Sequence, residues 1–187
     1  MPSIGETVKL VDRYTGRVPI SFSQFYLGEP VRISTPHWSI TNSGLLTVRP
    51  GAIKFIIETR STFANVIVEV YDSSPADRIH EYEDVVEDSY ACESGKLSLL
   101  SWSKDLVHAL DPLPAEQATY RVRYHMRNTH DLTSSSLDLC GSPAESLVQI
   151  WPAERMPARD IKVTSSAGRF WQPLSKLADS LLPDTGL

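Results

Sequence analysis

Five histidines, two cysteines and a dense run of carboxylates are the side chains of this 187-residue chain that can do chemistry, and their spacing decides which kind. His37, His80, His108, His125 and His130 form no HExxH, and no two are spaced to offer metal ligands from one helical turn, so no metal site is expected. Nucleophilic catalysis has no GxSxG to support it, and Ser142 after Gly141 reads as turn chemistry in a serine-rich loop. Cys92 stands beside Glu93, and a neighbouring negative charge raises a thiol's pKa and keeps it from acting as a thiolate. Cys92 and Cys140 lie far apart without a CxxC and read as free structural thiols in a reducing compartment. GxGxxG and GxxxxGK[ST] loops are absent, so no nucleotide is expected. These patterns predict a protein without cofactor and without catalytic residues.

The carboxylates are concentrated from Asp77 to Glu93, seven of them against the single Arg78. Ile79, Tyr82, Val85, Val86 and Tyr90 run through the stretch, which is too apolar for a disordered tail and reads as an acidic strand or strand edge. On a strand, residues i and i+2 share a face, so Glu81 with Glu83 has the arrangement of a paired acid and base in a glycosidase cleft. The plainer reading, preferred here, is a solvated edge whose charge opposes strand-to-strand aggregation. Arg121, Arg123 and Arg127 recur at period two on a later segment. Two readings stay open: these arginines lie across from the acidic strand and cancel it, or the acidic face is free to bind a partner.

The elements that must position these groups are strands. Val18, Ile20 and Phe22 alternate with Pro19, Ser21 and Ser23, the period of a half-buried strand, and Gly28-Glu29-Pro30 breaks it. Gly44–Arg49 and Ala52–Thr59 flank Pro50-Gly51, a tight connection. Ala64–Tyr71 is dense in β-branched residues. Ser94-Gly95 marks a turn after which Lys96–Trp102 reads as a strand paired with the acidic stretch as a hairpin. Residues 103–118 read as a short helical turn at most before a loop. Thr119–Arg127 alternates, sending Tyr120, Val122, Tyr124 and Met126 to the core and Arg121, Arg123, His125 and Arg127 to the other face. Glu145–Pro152 is a last core strand, and Leu174, Leu177 and Leu181 are spaced like one face of a short helix. Many short strands with turn signals between them predict an all-β fold, an antiparallel β-sandwich of jelly-roll type with little helix. Its parts are an N-terminal segment over residues 1–16, a sandwich over 17–152, and an extension over 153–187 packing on it.

A net charge of −5 argues against nucleic-acid binding and for a basic protein partner. The start Met1-Pro2-Ser3-Ile4-Gly5-Glu6 has neither the positive charge nor the apolar run of a secretory signal, and no stretch reaches the roughly 20 apolar residues of a membrane span. A cytoplasmic protein is expected; its oligomeric state is not legible.

Val18–Phe25, Gly51–Phe55 leading into Ala64–Val70, then Tyr82–Glu87, Ser94–Leu97 and Ala118–Val122, in that order, resemble the competence protein J family, bacterial inhibitors of a DNA-entry nuclease. The likeness covers roughly residues 17–152; the loop over 129–142 and the chain after Pro152 depart from it. The resemblance implies a non-enzymatic inhibitor or immunity-type partner of a nuclease or nuclease-like toxin. An acidic β-protein fills a DNA-binding groove by presenting carboxylates where phosphates lie. The residues expected on that face are Glu81, Glu83, Asp84, Glu87 and Asp88. An alternative is a carbohydrate- or small-ligand-binding sandwich stacking sugars on Trp38 or Trp171; Trp102 and Trp151 close apolar strands and read as packing.

Overall fold

The computed structural model describes residues 7–30, 44–59, 61–114, 119–129 and 143–172. Trp38, Cys140, the loop over 130–142 and the leucines Leu174, Leu177 and Leu181 lie outside them.

The described chain is built of eleven strands: β1 (Leu10–Pro19), β2 (Gln24–Gly28), β3 (Leu46–Arg49), β4 (Ala52–Ile56), β5 (Phe63–Tyr71), β6 (Asp84–Ala91), β7 (Ser98–Leu100), β8 (Leu106–Ala109), β9 (Thr119–Arg127), β10 (Glu145–Pro152) and β11 (Arg159–Val163). A 3₁₀ turn at Ile79–Glu81 precedes β6, and a short helix over 166–172 follows β11. Six strands form one sheet in the order β1-β5-β10-β9-β6-β11, and five form a second in the order β3-β4-β2-β7-β8. All pairings are antiparallel except β5 with β10. The fold is therefore all-β with little helix.

Period-two alternation makes the core. Tyr120, Val122, Tyr124 and Met126 of β9, Val66, Val68 and Val70 of β5, and Val148 and Ile150 of β10 face Phe25, Leu27, Ile53, Phe55 and Leu99 of the second sheet in one buried cluster. Phe25 stacks on Phe55 with centroids 4.8 Å apart, and Tyr124 packs on Phe55 at 5.0 Å while its hydroxyl donates to the Ile56 carbonyl at 3.0 Å. That bond satisfies a phenol which full burial, its dominant influence, pushes well above its usual pKa. The opposite face of β9 carries Arg121, Arg123, His125 and Arg127, as the alternation predicts.

Three expectations are corrected. The alternation Val18-Ile20-Phe22 does not continue as a strand: β1 ends at Pro19, and Gln24 N–H donates to the Ser21 carbonyl at 3.2 Å across a tight turn. Phe22 and Ser23 at its centre have φ of 51° and 55°, the left-handed region usually left to glycine or asparagine. Phe22 is 74% exposed and packs on Trp102 at 4.7 Å instead of entering the core. Secondly, the acidic stretch and Lys96–Trp102 form no hairpin. β6 pairs with β9 in the first sheet while β7 pairs with β2 in the second, because the buried Glu29 draws the connector between them to the end of β2. Thirdly, the span read as a helical turn contains β8, which pairs with β7. The Pro50-Gly51 connection is as read, with Gly51 at φ 79°.

Candidate functional site

The acidic strand is built into its sheet, and the register decides what each carboxylate meets. Glu87 stands directly opposite Arg123 on β9, and Ser89 opposite Arg121. Glu87 Oε1 accepts from Arg123 Nε at 2.5 Å and Oε2 from Arg121 Nε at 3.0 Å, with Glu87 6% and Arg121 2% exposed. Burial alone would raise the Glu87 pKa, but the hydrogen bonds and charges of Arg123 and Arg121 outweigh it and hold the carboxyl below its usual range. The network runs on across the sheet: Arg123 Nη1 reaches Gln149 Oε1 at 3.5 Å, Gln149 Nε2 donates to Glu69 at 3.3 Å, and the Tyr71 hydroxyl donates to Glu69 at 2.8 Å.

Asp84 is equally interior and does different work. Its Oδ1 accepts the backbone N–H groups of Thr164 at 2.7 Å and Ser165 at 2.9 Å, and its Oδ2 accepts the Ser165 hydroxyl. Ser165 Oγ in turn accepts the Gly168 N–H at 2.8 Å, capping the helix over 166–172. A β-carbon on Gly168 would lie 2.9 Å from Asp84 Oδ2 and 2.7 Å from Val163, so glycine is what allows this helix so close to β6. Asp84 thus pins the C-terminal extension to the strand.

Asp84 and Glu87 are therefore corrected as surface residues: both are buried and committed to internal partners. The exposed groups are Asp77, Glu81 and Glu93, with Glu83 and Asp88 half-buried. Glu81 is bidentate with Arg78, at 2.8 and 2.5 Å, which holds its carboxyl below the ordinary range. Glu83 accepts from the Thr129 hydroxyl at 3.2 Å. Burial raises the Asp88 pKa against the opposing pull of Ser89, Arg121 and Arg155. Arg127 pairs with Glu145 at 2.6 Å and lies over the Tyr82 ring at 5.2 Å.

His125, on the same face of β9, is fully buried. Its Nδ1 lies 3.1 Å from the Leu147 carbonyl, an acceptor that requires the proton on Nδ1, and its ring packs 4.9 Å from Tyr82. Burial is the largest cause that lowers its pKa, to about 4.

Trp171 is half-buried: it packs against the core, and its indole N–H donates to Glu58 at 3.0 Å, while Glu58 also accepts from the Ser23 hydroxyl at 3.0 Å. Cys92 is buried, and burial first, then Glu29, raises its thiol pKa. Among the described residues no group of three or more His, Cys, Asp or Glu is placed to hold a metal ion, and no helix is long and apolar enough to cross a membrane.

Glu29 holds a junction of the two sheets. Its Oε1 accepts the Tyr90 hydroxyl at 2.6 Å and its Oε2 the Ser94 N–H at 2.8 Å, tying the end of β2 to the connector after β6. Burial would raise its pKa, yet the bonds from Ser94 and Tyr90 hold it low. A lone glutamate between glycine and proline carries no sequence signal for such a role. The segment Thr164-Ser165 did carry one, since serine before a helical run is an N-cap.

Fold and site define a two-sheet β protein whose acidic strand lies inside its own sheet, with exposed carboxylates before it at Glu81 and after it at Glu93. No family model matches the chain, and no curated protein matches it by sequence. Among solved structures it is similar to ComJ from Bacillus subtilis, an inhibitor of the DNA degrading activity of NucA, with 17% identity and a TM-score of 0.52 over 79% of this chain and 100% of that one. The structure of Crocagin biosynthetic gene J is also similar, at 13% identity and a TM-score of 0.48 over 80% of this chain and 100% of that one. The chain has a ComJ-like fold, so the family resemblance read from the sequence holds at the level of fold.

Proposed function

We propose that this protein is a non-enzymatic, cytoplasmic bacterial binding protein that inhibits a nuclease or a nuclease-like toxin. The observation that carries this reading is the fold it shares with an inhibitor of a DNA-degrading activity. The net charge of −5 supports it, because a surface that holds DNA is basic and attracts an acidic competitor. The contact surface is the outward part of the acidic stretch, Glu81 with the half-buried Glu83 and, beyond them, Asp88 and Glu93, while Asp84 and Glu87 hold that surface in place from within. The binding body reaches from β1, starting at Leu10, to Pro152, and the described part of the extension, 153–172, is tied to it through β11 and the Asp84 anchor.

Rim charges govern encounter and salt dependence more than residence time. Plasmid degradation by a nuclease of the NucA kind should stop at about one equivalent of the protein in low salt and resume as salt rises. Glu81→Lys with Glu83→Lys should require about tenfold more protein for the same protection. Full degradation at every ratio would refute the reading, and protection undiminished by both reversals would refute the acidic contact.

A further inference from the structure

One end of the sandwich carries two left-handed turns side by side. In the turn that joins β1 to β2, Phe22 and Ser23 hold φ of 51° and 55°; in the turn that joins β7 to β8, Lys104 holds 69°. A bulky side chain in this region is an outlier, and such strain persists only where the surroundings over-determine it. Both turns are tied down. Gln24 N–H closes the first onto the Ser21 carbonyl, the Ser23 carbonyl accepts the Ile57 N–H at 2.9 Å, and the Ser23 hydroxyl donates to Glu58, which the Trp171 indole also holds. In the second, Ser101 N–H donates to the Asp105 carbonyl and Lys104 N–H to the Ser101 carbonyl, each at 3.0 Å, while the Ser101 hydroxyl accepts the Asp105 N–H at 3.2 Å.

What the two turns hold out is aromatic. Phe22 of the first meets Trp102 of the second with both rings exposed, and Leu106 is exposed where β8 begins. Single apolar residues on a surface are ordinary. Here the backbone is strained to keep a phenyl ring in water, so burial within this chain does not explain the turn. Two large rings fixed in one geometry have the make-up of a binding anchor, because little side-chain freedom is left to lose on docking.

Register places this tip at the same end as the acidic contact. Glu83 N–H bonds the Met126 carbonyl, Arg127 stands opposite Glu145, Glu145 opposite Asn65, and Asn65 opposite Arg17, two residues before β1 ends and its turn begins. Four strand spacings separate β1 from β6, about 20 Å at ~4.8 Å each. A standard interface of about 800 Å² per partner spans that distance. A groove that holds nucleic acid offers cationic walls for phosphates and flat apolar faces on which bases stack. Carboxylates at Glu81 and the half-buried Glu83 suit the walls, and the Phe22–Trp102 pair suits the stacking faces.

We propose that Phe22 and Trp102 are the anchor of the inhibitory contact, seated where the nuclease stacks a base, while the carboxylates steer the encounter. The inference rests on the inhibitor reading and adds to it the part of the surface that sets residence time.

Phe22→Asn tests it, because asparagine accepts a left-handed φ and so removes the ring without adding backbone strain. Binding of the full chain to the same nuclease is followed by biolayer interferometry. Phe22→Asn should dissociate at least about tenfold faster than the parent with its association rate and salt dependence kept, and Trp102→Ser should do likewise. Glu81→Lys with Glu83→Lys should show the converse, slower association with dissociation little changed. The thermal midpoint of Phe22→Asn should stay at or above the parent's, since strain is relieved. A parent that neither binds nor inhibits the nuclease overturns the inhibitor reading and this anchor with it. A parent that inhibits while Phe22→Asn dissociates at the parent's rate overturns the anchor alone. A midpoint several degrees below the parent's would assign the ring to packing, and a dimeric parent made monomeric by Phe22→Asn would assign the pair to a second copy of this chain; either overturns the proposal.

Discussion

On the outer face of the six-stranded sheet, Glu87 stands between Arg121 and Arg123, and the chain of bonds continues through Gln149 to Glu69. On the outer face of the five-stranded sheet, Lys54 and Arg49 lie on neighbouring strands, and each has its pKa pushed down by burial. The first face pairs its charges within the sheet, while on the second Lys54 and Arg49 act on each other as like charges. A balanced buried network fixes register: β6 must place Glu87 opposite Arg123, because a slip of one residue would leave two guanidinium groups and a carboxylate buried apart.

The contrast is broken most severely at Glu87. Glu87→Gln leaves Arg121 and Arg123 buried beside a neutral amide and should cost about 3–5 kcal/mol, seen as a large fall in the urea midpoint. His125 shares that face and is tested by pH. Its folded pKa, about 4, lies below its unfolded value of roughly 6.5, so the unfolded chain binds more protons between them. The stability due to the neutral ring is complete above about pH 6.5 and drains away as pH falls toward 4, by up to about 3 kcal/mol. Urea titrations from pH 7.5 to 4 should show this slope, and His125→Asn should flatten it. Asp84→Ala unpins the C-terminal extension by deleting an acceptor for two backbone N–H groups and a hydroxyl, and should cost about 2 kcal/mol.

The sequence displayed period and turn chemistry, and these carried much of the strand map. β9 alternates so cleanly that its core and outer sets are legible at a glance, and Pro50-Gly51 marks its hairpin outright. Pairing across long separations is different physics. Glu87 and Arg123 meet because two strands 36 residues apart share a core face, and neither run of charge indicates its neighbour. That is why the acidic stretch admitted two readings in sequence. The structure divides the stretch itself: Glu87 is cancelled by arginines, Asp84 caps the extension, Glu83 is half-buried, and Glu81 stays outward. The turn at Phe22 misled because alternation continues in the letters after the backbone has reversed into the left-handed region. The meeting of Lys54 with Arg49 was invisible for a related reason, since one lysine inside an apolar strand gives no sign of the arginine that the adjoining strand brings beside it.

The central claim is that the acidic stretch is part scaffold and part surface. Urea unfolding of Glu87→Gln beside the Glu81→Lys, Glu83→Lys double variant tests it in one measurement. The account predicts a loss of several kcal/mol for Glu87→Gln and a change within about 1 kcal/mol for the double reversal. A double reversal that unfolds the protein while Glu87→Gln leaves the midpoint unmoved would contradict it.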